Sequence, residues 1–345
     1  MCKIKFVFSF LFVSFLTSCV DFGSEKVDFY EIDRVEYLNK LEGFWLGQSI
    51  ANWTGLITEM DKIGNIGEIK TGKFYTRNNW GGKDEPSIWS SETSNDQINF
   101  VLKEPEEIWG SDDDTDIEYM YQELLYDNDQ IILSAKKIRD GWFKHIKSEE
   151  ENFLWVSNQK AFDLMQGGLL PPDTSDPSLN EHYDMIDAQL TTEIFGLLSP
   201  INYKSALKMS NLPIRTTARG DAASISDFYV IIHSLASSID PNKPLNEELI
   251  RISDFASSVL DKNSYSFPMY EFVKSKFNSG ITWEQTRDSI YQRYQVDQKD
   301  GYDVTSRNLY CNGCFASGIN FASSLISYFY GKGDFKETIK IATLC

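Results

Sequence analysis

Apolar residues recur three and four positions apart over most of this chain, and that spacing puts them on one face of a helix and not on one face of a strand. From Glu31 to Glu59 the pattern is helical, with Tyr37, Leu38, Leu41, Phe44 and Trp45 on the face to be buried. Helical signals resume at Asp116 and return at Ile186 to Leu198, Ser224 to Ser238, Asn246 to Leu260 and Ile319 to Tyr330. Between Lys62 and Trp109 the composition shifts to Gly, Asn, Asp, Ser and Lys around short alternating pieces such as Ile98 to Leu102, which predicts loops with minor β structure. Pro171-Pro172, Pro200, Pro241 and Pro268 fall between the helical patterns, where a residue that cannot continue a helix belongs. The expected class is mainly α: one multi-helix bundle with a loop/short-strand insertion.

The first residues are of another kind. Lys3 and Lys5 precede an apolar run from Phe6 to Leu16, which stops well short of the roughly 20 residues needed to span a bilayer. Leu16-Thr17-Ser18-Cys19 resembles the bacterial lipobox, in which small residues admit a peptidase and the cysteine thiol receives diacylglycerol. The expectation is a signal peptide over 1–18, a tether over 19–30 and one domain over 31–345, exported and held to a bacterial membrane through lipidated Cys19.

A formal charge of −18 opposes a nucleic-acid polymer as partner, because such binding draws on clustered Lys and Arg. With 41% hydrophobic and 14% aromatic residues, the chain has material for a sizeable core and is expected to be a monomer. Cys311, Cys314 and Cys345 are too few for a disulfide scaffold. Cys311-Asn312-Gly313-Cys314 fits a redox pair or half a zinc site, but no second pair completes a zinc set, so core or near-surface thiols are expected.

Two stretches carry chemistry. In GQSIANWTGLITE, Gly43, Gly47, Ala51, Gly55 and Glu59 lie at successive i+4 positions, a ridge that invites close approach of another helix or of a ligand. In SDDDTDIEYMY, Asp112, Asp113, Asp114 and Asp116 crowd a helix start. Thr115 and Glu118 there match a capping box, and carboxylates suit the positive end of the helix. Four acids within five residues also repel one another, which a hard divalent cation with oxygen ligands relieves. Gln189 and Glu193 are one turn apart and could face a pocket with Asp187, although such polar pairs are commonly solvated. The three histidines lack a G-x-S-x-G elbow, so a serine hydrolase is unsupported.

Taken together, these stretches resemble the ADP-ribosylglycohydrolase family, which has an early Gly-rich helix ending in Glu and a later Ser/Thr-Asp-Asp-Thr metal motif. Gly47, Ile50, Gly55 and Glu59 match the first, with Ala51 and Asn52 where many members have Gly and Asp. Asp113, Asp114 and Thr115 match the second, with Asp112 at the Ser/Thr place. Asn180 to Gly196 is similar to a central region of a bacterial branch, and Tyr330 to Ala342 to the penultimate helix. The resemblance implies an orthogonal α-helical bundle holding two divalent ions, Mg²⁺ or Mn²⁺, and hydrolysis of an ADP-ribosyl or related N-/O-glycosyl bond. It implies Asp112, Asp113 and Asp114 as metal ligands and Asp113 and Glu59 as catalytic groups, with Glu59 either orienting substrate or serving as acid/base. Asn52, Asp187 and Gln189 are the expected substrate contacts. The family's second ligand motif, of Gly-x-Asp-x-Asp type, follows the helix at which this sequence stops, and truncation is the expectation. The rival is a lipoprotein that captures a glycan or nucleotide without turnover.

Overall fold

The computed structural model describes residues 30–88, 97–110, 112–147 and 152–345. The fold is mainly helical, and its helices follow from the spacing set out above. In chain order they are α1 (Arg34–Gly55), α2 (Asp113–Tyr126), α3 (Ala135–His145), α4 (Val156–Gln166), the single turns α5 (Asp187–Leu190) and α6 (Ile194–Leu197), α7 (Tyr203–Thr217), α8 (Asp221–Ala236), α9 (Leu245–Ala256), α10 (Ser266–Asn278), α11 (Trp283–Ile290), α12 (Ser317–Gly331) and α13 (Phe335–Leu344). Cys19 and the expected signal peptide over 1–18 lie outside the described residues, and among those residues no helix is long and apolar enough to cross a membrane.

Two apolar clusters form the interior. One gathers Ile117, Tyr121, Trp142, Phe162, Phe195 and Ile214 from α2, α3, α4, α6 and α7. The other gathers Phe228, Tyr270, Trp283, Tyr294, Phe321 and Leu325 from the C-terminal helices, with Phe228 and Phe321 edge to face at 5.1 Å. Helix α8 belongs to both, giving Ala222, Ala223 and Val230 to the first and Ile225, Phe228 and Ile231 to the second. Some polar atoms of this interior are paired, as when Trp142 Nε1 donates to Tyr121 Oη at 3.2 Å, whereas Trp283 Nε1 and Tyr302 Oη are buried without a hydrogen-bond partner.

Several local expectations are corrected. Helix α1 begins where Asp33 accepts the Val35 and Glu36 amides at 2.9 Å, but it ends at Gly55, not at Glu59. A 3-10 turn, Leu56–Thr58, follows, and Met60 at φ 65° swings the chain out of helical register. Leu38 is 45% exposed, so the buried face is carried by Leu41, Phe44 and Trp45. The expected helix from Ile186 to Leu198 is broken into α5 and α6, because the Thr191 and Thr192 hydroxyls donate back to the carbonyls of Asp187 and Ala188 at 3.0 and 2.6 Å. Pro268 is not between helices: it lies in the first turn of α10, where an N–H has no intrahelical partner to lose. Cys311 and Cys314 are joined as a disulfide, not free thiols.

The segment from 62 to 109 forms no strand among its described residues. Its β character is one antiparallel bridge, Lys83 to Gln97, beside the fully buried Ile98. Side chains take the place of a ladder: Asn65 donates to the Gly72 carbonyl at 2.7 Å and accepts the Gly72 amide at 3.0 Å, while Thr71 Oγ1 accepts the Gly64 amide at 3.0 Å. This insert packs beside the end of α1 and forms one wall of the cleft described next.

Candidate active-site cleft

Each carboxylate in question reaches the cleft from the end of an element. The turn after α1 delivers Glu59, since Thr58 Oγ1 donates to the Thr343 carbonyl at 2.6 Å and pins that turn against α13. The start of α2 delivers the acidic run. Asp112 is its N-cap, with the side chain accepting the Thr115 amide at 2.9 Å, so the cap lies three residues before the Thr115–Glu118 box expected from sequence. Helix α5 opens with Asp187. Asn52, Glu59, Asp112, Asp113, Asp114 and Asp187 all line one cleft of about 1490 Å³. Trp53, Phe74, Phe153, Trp155, Tyr291 and Phe315 supply aromatic surface to the same cleft.

Of the residues expected to touch substrate, Gln189 is placed elsewhere. It is buried, and its Oε1 accepts from Ser317 Oγ at 2.9 Å, so it braces α5 against α12. Glu193 is likewise not at the surface but hydrogen-bonded to the fully buried Glu118. On the glycine ridge, an added Cβ at Gly43 or Gly55 would meet nothing within 4 Å, and one at Gly47 would meet the Phe335 ring at 3.4 Å. Another backbone therefore does not explain the ridge, whereas Ala51 and Gly55 both face the cleft.

The electrostatics are those of crowded negative charge. Burial pushes the Asp113 carboxyl up, against the Trp155 amide that donates to its Oδ2 at 3.0 Å, and the Asp112 charge adds to the rise. Asp114 is held well above the ordinary carboxylate range by burial first, then by Asp113, Asp112, Asp187 and Glu193. Burial pushes Asp187 up to about 6, and its Oδ2 is buried with no hydrogen-bond partner. Glu59 is raised by burial and by the Asp112 and Asp113 charges. All four shifts run in the direction that burial first, and neighbouring negative charge second, impose on a carboxylate.

As arranged, no three His, Cys, Asp or Glu side chains among the described residues form a ready ligand set for a metal ion. The donor chemistry nonetheless suits a hard divalent ion: three consecutive aspartates stand at the positive end of α2, and Asp187, with a bare buried oxygen, lines the same cleft. Asp113 and Asp114 are the groups that would hold it, with Asp112 committed in part to its cap.

Two carboxyl pairs were not read from sequence. Glu118, one turn after Asp114, accepts from the Ile194 amide at 2.9 Å and from Gln48, and burial raises it to about 7. Asp61, two residues after Glu59, accepts from Tyr75 Oη at 2.9 Å and is hydrogen-bonded to the buried Asp84, also rising to about 7 through burial and that contact. The i+4 and i+2 spacings from candidate residues were the available signals. No family model matches the chain, and neither a curated protein nor a solved structure shows significant similarity to it.

Proposed function

We propose that the cleft hydrolyses an ADP-ribosyl or related N-/O-glycosyl bond with the help of Mg²⁺ or Mn²⁺, in a bundle of the ADP-ribosylglycohydrolase type. The observation that supports this most is the convergence of carboxylates from three separate segments, at the end of α1 and at the starts of α2 and α5, on one aromatic-walled cleft. In this reading Asp113 and Asp114, with Asp112, hold the ion, which supplies positive charge that fixes sugar hydroxyls and acidifies water. Glu59 carries the acid/base role. Burial and the Asp112 and Asp113 charges raise its pKa, the direction that favours holding a proton for transfer. Asn52 and Asp187 contact the sugar or its phosphates, and the aromatic wall takes planar parts of the ligand. The protein acts as an exported monomer tethered through Cys19.

A second reading is a binding lipoprotein without turnover. It is favoured by the absence of a ready three-residue ligand set among the described residues. One experiment separates the two: release of free sugar from a panel of ADP-ribosyl and nucleoside glycosides, with and without Mg²⁺ or Mn²⁺. Metal-dependent release that is lost in Glu59→Gln supports the hydrolase, and metal-independent binding with no release leaves the binder. Calorimetry with Mn²⁺ adds the site test. Equal binding by the chain and by its Asp113→Ala/Asp114→Ala variant returns the acidic run to a capping role.

A further inference from the structure

The Cys311–Cys314 disulfide closes a tight loop in which Cys311, Asn312 and Gly313 have φ of 35°, 56° and 80°. Only the last is a residue that takes this region without steric cost, so the loop conformation needs outside support. A ring this short removes little chain entropy from the unfolded state compared with rings of tens of residues, so the bond acts locally and not as a global staple.

Locally, the loop touches both walls of the cleft. Asn312 Nδ2 donates to the Ile66 carbonyl at 2.7 Å, which ties the loop to the insert. On the other side the Phe315 carbonyl accepts the Ile186 amide at 3.0 Å, Ala316 pairs with Met185 in an antiparallel bridge, and the Ser317 amide donates to the Asp184 carbonyl at 2.9 Å. Those bonds set the segment that leads into Asp187. Phe315 also meets the Trp155 ring edge to face at 5.0 Å, and the Trp155 amide is the donor to Asp113 Oδ2. Cys314 itself lines the cleft, and both cysteines are half-buried, within reach of a small thiol.

We propose that the Cys311–Cys314 disulfide is a redox clasp, whose reduction by a small dithiol frees loop 310–316 and loosens the two cleft segments that position Asp113 and Asp187. The exchange is balanced: the dithiol gives two electrons and two protons and becomes a disulfide, and Cys311 and Cys314 become thiols. The loss of ligand binding that follows rests on the reading of the cleft given above, whereas the loosening does not.

The experiment uses the full chain, air-oxidised, reduced with dithiothreitol, and as a Cys311→Ser/Cys314→Ser variant whose fold is checked by far-UV circular dichroism. Hydrogen exchange by mass spectrometry should show the Ile186 and Ser317 amides exchanging about tenfold faster or more in the reduced and variant forms. Mn²⁺ affinity should fall about tenfold, the lower end of what loss of a group supporting a metal ligand costs. Unchanged exchange once alkylation proves both thiols free overturns the clasp, as does an air-oxidised chain in which both cysteines alkylate at once. Faster exchange with unchanged Mn²⁺ affinity overturns its control of the site. If the oxidised chain binds no Mn²⁺, the metal reading fails and the exchange arm still decides the clasp.

Discussion

Replacing Glu118 by Gln should flatten the pH dependence of stability. Glu118 is fully buried on α2, accepts from the Ile194 amide and Gln48, and shares a hydrogen bond with Glu193, itself held well above the ordinary range by burial and by the Glu118 charge. Folding carries the Glu118 carboxyl from an ordinary 4.5 to about 7. Between those values the folded chain keeps a proton that the unfolded chain releases, so stability is fully present below 4.5 and falls as pH rises toward 7. At about 1.36 kcal/mol per pH unit, that interval corresponds to on the order of 3 kcal/mol. Urea unfolding at half-unit steps from pH 4.5 to 8 measures it, with the difference between wild type and Glu118→Gln reporting the Glu118–Glu193 pair, because Asp187 and Asp61 add slopes of the same sign to both. The wild type should lose about 2–3 kcal/mol more than the variant across the range. Parallel curves would refute the reasoning, since they would mean that the carboxyl is equally protonated in the folded and unfolded chain throughout the range.

Three further outcomes are expected. Gly196→Ala should destabilise by about 2 kcal/mol in urea unfolding, because the new methyl would sit 2.2 Å from the Val230 carbonyl oxygen and 2.9 Å from the Ser234 amide, backbone atoms of α8 that cannot step aside. Gly43→Ala, where nothing lies within 4 Å, should instead stabilise by up to about 1 kcal/mol. Cys19→Ser should abolish incorporation of labelled fatty acid and release the protein from the membrane fraction; retained label would refute the lipid tether.

The helical class was legible because a 3.6-residue repeat survives any tertiary arrangement, and α8, α9 and α12 start within three residues of the patterns that announced them. The end of α1 was not legible. Glu59 continues the i+4 ridge on paper, but the 3-10 turn Leu56–Thr58 and the ψ of 126° at Glu59 itself, backbone conformations no apolar spacing encodes, take it out of the helix and toward the cleft. The split of α5 from α6 depends on two threonine hydroxyls choosing backbone carbonyls, a local competition that periodicity ignores. For the acidic run, the cap fell to Asp112 because its side chain meets the Thr115 amide, which left Glu118 free to turn inward as a buried acid. Asn52, Glu59, the three aspartates and Asp187 were named from sequence and share the cleft, whereas Gln189, expected as a substrate contact, is a buried brace, and Glu193 turns inward to Glu118. A polar side chain at helical spacing carries no mark of which neighbour will cover it.

The described part of the insert from 62 to 109 is held by side chains bonding to backbone and by one short backbone bridge, and not by an extended ladder in which every rung depends on the next. The carboxylates opposite stand on helix ends that belong to the common interior. The carboxylates and the wall facing them thus rest on different kinds of support. Exposed cleft-lining residues of the insert, Glu85 and Gln97 among them, can be exchanged singly without propagating a register error, so a library confined to such positions is the direct route to reshaping the cleft while leaving its carboxylates in place.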